Sequence, residues 1–120
     1  MKSNITPTLI VLYLLLNSCV QKSFNRIVVV TLDVSKVKDI QSVGIRGNGK
    51  PLNWEIDYPM QEMVKDSLYK AIIITNTGYF FTEVKCTVNS NFELQDKPNR
   101  RIVFDTKKDT TYVHLIFDKE

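Results

Sequence analysis

Between Ile27 and Phe117 the chain is divided into short runs of β-branched and alternating residues, each bounded by a polar or glycine-containing turn signal. That rhythm constrains the fold more than any other feature. Ile27–Val34 (IVVVTLDV) is dense in β-branched side chains, which suit a pleated strand better than a helix, and Val30, Leu32 and Val34 fall on one side. Ser42–Arg46 is a second short run, closed by Gly47-Asn48-Gly49-Lys50-Pro51. Leu68–Thr75 (LYKAIIIT) ends at the hairpin signal Asn76-Thr77-Gly78. Phe80–Val88 follows, with Val84, Cys86 and Val88 set against Glu83, Lys85 and Thr87. After the turn Asn89-Ser90-Asn91 come Phe92–Leu94, Arg101–Asp105 and Thr111–Phe117, the last two separated by the polar turn Thr106–Thr110. Only Gln61–Lys65 has room for a helical piece, and that for one turn at most. Strands recurring at roughly 8–12 residues predict an all-β, antiparallel β-sandwich of about seven to eight strands rather than parallel βαβ units.

The N-terminus has a different character. Met1 and Lys2 give a weakly positive start, and Leu9–Leu16 (LIVLYLLL) is an unbroken apolar run of eight residues. A spanning helix needs about 20 apolar residues, so this run is too short to cross a bilayer and has the size of a signal-peptide core. Leu16-Asn17-Ser18-Cys19 follows directly. It resembles the bacterial lipoprotein box, in which leucine and a small residue precede a cysteine that is lipidated and becomes the first residue. The resemblance implies a lipoprotein signal peptide over residues 1–18, lipidation at Cys19, a tether over residues 19–25 and a folded domain over residues 26–120. It also implies a lipid-anchored place in a bacterial cell envelope, in the periplasm or at the cell surface. A plain secretory signal and a retained anchor are the alternatives. With Cys19 lipidated, Cys86 has no partner in the chain and reads as a small buried hydrophobe; a Cys19–Cys86 disulfide is the alternative.

Charge and motif content exclude most chemistry. The 16 Lys+Arg against 13 Asp+Glu leave a formal charge of +3, too mild to argue for a nucleic-acid partner. Two cysteines make neither a disulfide framework nor a four-thiolate zinc site. His114, the one histidine, shares a strand side with Tyr112 and Ile116 and reads as structural. The sequence contains no nucleophile elbow, phosphate loop, His-Glu-x-x-His or Cys-x-x-Cys. Glu93 and Asp96 could be paired as hydrolytic acids, but a sandwich this small rarely offers the dry cleft that raises one carboxyl, so both read as a solvated loop. The expectation is a protein that is not an enzyme and carries no metal or cofactor.

A set of elements in order does stand out: Val43-Gly44-Ile45-Arg46, Leu52-Asn53-Trp54, Pro59-Met60, Tyr69, Val84-Lys85-Cys86, Phe92-Glu93 and Pro98-Asn99-Arg100. From about Ile27 to Phe117 this series resembles the starch-binding domain, the family 20 carbohydrate-binding module. The resemblance implies an immunoglobulin-like sandwich and a non-catalytic starch or α-glucan site. Carried over residue by residue, the loop tryptophan falls on Trp54, the strand lysine on Lys85, the second aromatic on Phe92 and the asparagine on Asn99. Phe92 stands where the family has tryptophan, and Asn99 lies two residues further from it than in the family pattern.

The chemistry is coherent without the family. Glucose units expose an apolar C–H face, and two angled aromatic rings can stack on consecutive units. Lys85 lies opposite in phase to Val84 and Cys86 and should face outward, where it and Asn99 can bond sugar hydroxyls. Taken singly, Trp54 is as much a core plug as a platform, Phe92 a core residue, Lys85 a solvated strand face and Asn99 a turn former. Two functions are therefore carried forward. One is α-glucan binding at the membrane, beside an envelope enzyme. The other is a structural or protein-interaction lipoprotein domain that kept the fold and lost the sugar.

Overall fold

The computed structural model describes residues 22–120; the expected signal peptide and the Cys19 lipidation site lie outside the described residues. The described residues are all-β, with two sheets and no helix. Nine strands follow in order: β1 Phe24–Asp33, β2 Val43–Gly47, β3 Tyr58–Pro59, β4 Gln61–Val64, β5 Leu68–Thr77, β6 Phe81–Val88, β7 Asn91–Phe92, β8 Arg100–Val103 and β9 Thr110–Ile116. The first sheet has the order β4-β5-β1-β9. The second runs β3-β2-β6, and β7 and β8 share the far edge of β6.

Period-two alternation turns one face of each sheet inward. Val28, Val30 and Leu32 of β1 meet Ala71 and Ile73 of β5, and across the interior lie Ile45 of β2 and Val84, Cys86 and Val88 of β6. All of these are buried. Among the described residues Cys86 has no disulfide partner, and its thiol is buried in this interior. Burial, and then the nearby Glu93 carboxylate, push its pKa well above the ordinary value of 9.0.

The expectation of a wholly antiparallel sandwich needs correction at one place. β9 runs parallel to β1, from Ile27↔Thr110 to Asp33↔Ile116. The cause is a change of sheet. β8 ends opposite the start of β6, and residues 104–109 carry the chain across to the end where β1 begins, so β9 can only leave in β1's direction. Gln61–Lys65 is also not helical. A segment this short gains little from helical bonds, whereas the free edge of β5 offers a ladder, and Gln61↔Lys70 and Val64↔Leu68 take it up with a bulge between Glu62 and Val64. With the two-residue β3, this raises the strand number above the expected seven to eight.

Glu93 is a further correction. It is not on a solvated loop; its side chain is wholly buried. Each carboxylate oxygen accepts two hydrogen bonds. Arg100 Nη2 (2.7 Å) and the Asp118 amide (3.2 Å) donate to Oε1, while Arg100 Nε and the Cys86 amide, both at 2.8 Å, donate to Oε2. Arg100 Nη2 also donates to the Ile116 and Lys119 carbonyls at 2.8 Å each. Spacing hid this because the partners are seven residues apart across a loop, and a carboxylate flanked by polar residues looks solvated.

Removing one member of a buried pair strands the other charge, which typically costs about 3–5 kcal/mol. Arg100→Met is therefore expected to lower the unfolding free energy by about 3–5 kcal/mol in urea titrations, and a loss under about 1 kcal/mol would contradict this role for the pair. A second expectation concerns alkali. The folded Cys86 thiol stays protonated where the unfolded one ionises, so its contribution is complete below the ordinary thiol pKa and declines as pH rises above it. The urea midpoint should fall more steeply above about pH 8.5 in the native chain than in Cys86→Ala.

Candidate functional site

The outer face of the second sheet carries a shallow depression of about 480 Å³, lined by Trp54, Lys85, Phe92, Gln95, Asp96 and Asn99. All four residues expected from the sequence are thus brought together, with two additional polar neighbours. Trp54 and Phe92 are both half-buried. Their ring centroids are 6.3 Å apart and the planes are tilted by 50°. Neither ring belongs to the interior between the sheets.

Trp54 comes from the long loop between β2 and β3. Asn53 shapes that loop by accepting the amides of Glu55 and Ile56 on its side-chain oxygen, at 2.9 and 2.7 Å. The indole N–H of Trp54 donates to Asn48 Oδ1 at 2.7 Å, which fixes the plane of the ring. Beneath the loop, Arg46 Nε donates to Asp57 Oδ1 at 2.7 Å and Arg46 Nη1 donates to the Trp54 carbonyl at 3.2 Å. Thr87 Oγ1 donates to the same Asp57 oxygen at 2.9 Å. Asp57 can approach the sheet only because Gly44 has no side chain: a Cβ there would lie 2.7 Å from the Asp57 Cβ.

Phe92 lies in β7 after a tight turn in which Asn89 and Ser90 both have positive φ, 53° and 65°. Two such residues form the turn whose twist matches a hairpin, and asparagine tolerates it well. The Arg46 guanidinium stacks on the Phe92 ring at 4.9 Å from its centroid. One cation therefore joins the two aromatic loops.

Lys85 does point out of the sheet, as expected, yet most of its hydrogen-bonding capacity is used within the protein. Its Nζ donates to the carbonyls of Leu94 and Lys97, both at 2.9 Å. An ammonium has three N–H groups, so one is left for a ligand. These bonds hold a loop that includes Leu94 and Asp96 at positive φ, 50° and 63°. Such a conformation is uncommon for leucine and persists only where surrounding contacts enforce it. The Leu94 amide donates to Asp118 Oδ1 at 2.7 Å, a further restraint. Asn99 is exposed at the loop's end, and its amide N–H makes only a long contact of 3.4 Å with Glu83 Oε2.

Sequence reasoning missed Gln95 and Asp96 as lining residues, and it missed the whole support of Arg46, Asp57 and Thr87. Arg46 stood inside a quoted motif, but nothing in spacing joins it to Asp57 across an irregular loop. A depression of similar volume, about 510 Å³, opens beside the β5–β6 turn between Asn48, Thr75, Tyr79 and Phe81, and none of the expected residues borders it. His114 lies on the exposed face of β9, where a 2.7 Å hydrogen bond joins its Nδ1 to Thr31 Oγ1. Compared with known protein families and with curated proteins, the chain finds no match.

Proposed function

We propose that the protein is a membrane-tethered, non-catalytic module that binds α-glucan through the depression between Trp54 and Phe92. The observation that carries this reading is the pair of half-exposed rings, 6.3 Å apart and inclined at 50°, over a depression rimmed by polar side chains. Successive glucose units of an α-glucan turn relative to one another, so two inclined rings can each meet a C–H face. Asn99, Gln95, Asp96 and the remaining Lys85 N–H are then within the same basin to bond hydroxyls. A shallow, wet site of this kind gives weak binding, with Kd on the order of micromolar to millimolar. The lipoprotein-like Leu16-Asn17-Ser18-Cys19 supplies the tether, and an envelope enzyme acting on the same glucan is the natural partner.

A second function, a protein-interaction domain without a sugar site, is favoured by one specific feature. On the outer face of the first sheet Ile74 pairs with Ile27, and Ile72 and Tyr112 pair with Val29 from either side. Ile72, Ile74 and Tyr112 are 50%, 63% and 77% exposed, and such an apolar strip suits a protein partner.

The two separate on the single tryptophan. Maltoheptaose or β-cyclodextrin is expected to change Trp54 fluorescence, and Trp54→Ala should abolish retardation on amylopectin gels. Unchanged fluorescence together with free migration of the native chain would reject the sugar site and leave the interaction domain. Lys85→Met should act through the loop: a stability loss of about 1–3 kcal/mol, with weaker retardation, follows from two lost charge-assisted bonds. Cys19→Ala is expected to lose the acyl mass carried by Cys19 and to weaken retention on cell membranes, and a native chain whose Cys19 carries no acyl mass would reject the lipid anchor.

A further inference from the structure

We propose that the end of the sandwich bearing the β5–β6 turn and the start of β1 is a bilayer-docking surface, whose aromatic side chains enter the headgroup layer. The membrane's presence there rests on the anchored reading above; the surface itself rests on different residues from the sugar site. Tyr79, Phe80 and Phe24 are 72%, 63% and 52% exposed. The rings of Tyr79 and Phe80 both lie against Phe81, with centroids at 6.5 and 5.1 Å, so the turn presents a cluster of rings rather than one stray side chain. The turn is held in place: the Phe104 amide donates to the Phe80 carbonyl at 2.9 Å, and the Tyr79 amide donates to Thr77 Oγ1 at 3.0 Å.

Topology decides which end meets the membrane. Phe24 pairs with Thr77 and Ile27 pairs with Thr110, so the start of β1, the β5–β6 turn and the β8–β9 turn all emerge together. Cys19 precedes Phe24 by five residues. Five residues reach at most about 18 Å, so a lipid on Cys19 holds this end, and no other, close to the bilayer. Charge agrees. Lys22, Lys107 and Lys108 are exposed here. Of the acids at this end, the Asp105 carboxylate is turned back onto the amides of Lys107 and Lys108, at 2.8 and 3.2 Å, and Asp109 is exposed. Exposed aromatic rings and lysines at the same end match an interface of anionic headgroups over acyl chains.

The test uses the full chain carrying Trp54→Phe and Phe80→Trp, reconstituted in phosphatidylcholine vesicles with or without phosphatidylglycerol and with brominated acyl chains. The expected result is a blue-shifted tryptophan emission quenched by bromine, more strongly with phosphatidylglycerol. Water-like, unquenched emission from protein that floats with the vesicles would overturn the docking surface while leaving the anchor intact. Mass spectrometry of Cys19 reads the anchor separately. If Cys19 carries no lipid, the native full chain should still float with phosphatidylglycerol vesicles, and Tyr79→Ser with Phe80→Ser in the native chain should weaken that on the order of tenfold. No flotation, or flotation indifferent to those substitutions, overturns the proposal. So does a vesicle-free dimer that the two substitutions abolish, which would make the turn an interface between copies.

Discussion

A carboxylate removed from water within a small β-protein must be answered at every lone pair, and Glu93 is answered by two guanidinium N–H groups and two backbone amides. The requirement is stringent because desolvating two charges costs several kcal/mol per ion before their attraction is counted. In this fold the four donors come from Cys86, Arg100 and Asp118, three separate places in the chain. Glu93 must follow β7, Arg100 must open β8, and residues 116–119 must close over both. The positions just before the pair are Phe92 and Asn99. Two of the four expected site residues are thereby fixed by a buried interaction in which neither takes part.

The other half of the depression is fixed by a second pair, Arg46–Asp57, that is largely but not wholly sheltered, with side chains 14% and 21% exposed. Here the gain is positional. Asp57 gathers Arg46 and Thr87, and Arg46 then supports both the Trp54 backbone and the Phe92 ring. Lys85 closes the remaining gap by holding the loop of residues 94–97 from below. Every loop at the depression is thus ordered before any ligand arrives. A weak ligand with few contacts benefits most from such a surface, since little ordering entropy remains to be lost on binding.

How far the sequence foretold this depends on whether a feature was local. The inward residues of β1 and β6 were legible because alternation and β-branching act within a strand, and Val30, Leu32, Val84 and Cys86 are buried as their phase demanded. The turn expected at Asn89-Ser90-Asn91 was legible from its turn-forming residues, although it spans only Asn89 and Ser90 and Asn91 already belongs to β7. Pairing direction was not: the parallel β1–β9 ladder is decided by where residues 104–109 cross between sheets, which no window of alternation contains. Gln61–Lys65 was misread because a propensity argument cannot see the vacant edge of β5. Glu93 was misread because burial of a charge depends on donors from Cys86 in β6, Arg100 in β8 and Asp118 beyond β9. The outward phase of Lys85 was correct, but its two carbonyl partners exist only once the loop has adopted left-handed backbone at Leu94 and Asp96.

The two proposed surfaces are linked along one strand. Phe81, Glu83 and Lys85 occupy the outer face of β6 in succession. Arg101 caps Phe81 at 4.2 Å, Asn99 approaches Glu83 at 3.4 Å, and Lys85 reaches into the aromatic depression. At about 3.3 Å per residue, Lys85 lies about 13 Å along the strand from Phe81. A β5–β6 turn seated in headgroups would therefore leave Trp54 and Phe92 above the lipid, on a sheet face standing upright from the membrane. A polysaccharide on that face would run past the bilayer without competing with it for the same rings. A lipid tether alone would let the domain tumble and present the depression in any direction. On the proposed reading the aromatic turn would remove that freedom, and a fixed orientation is what such a module would contribute to an enzyme working beside it.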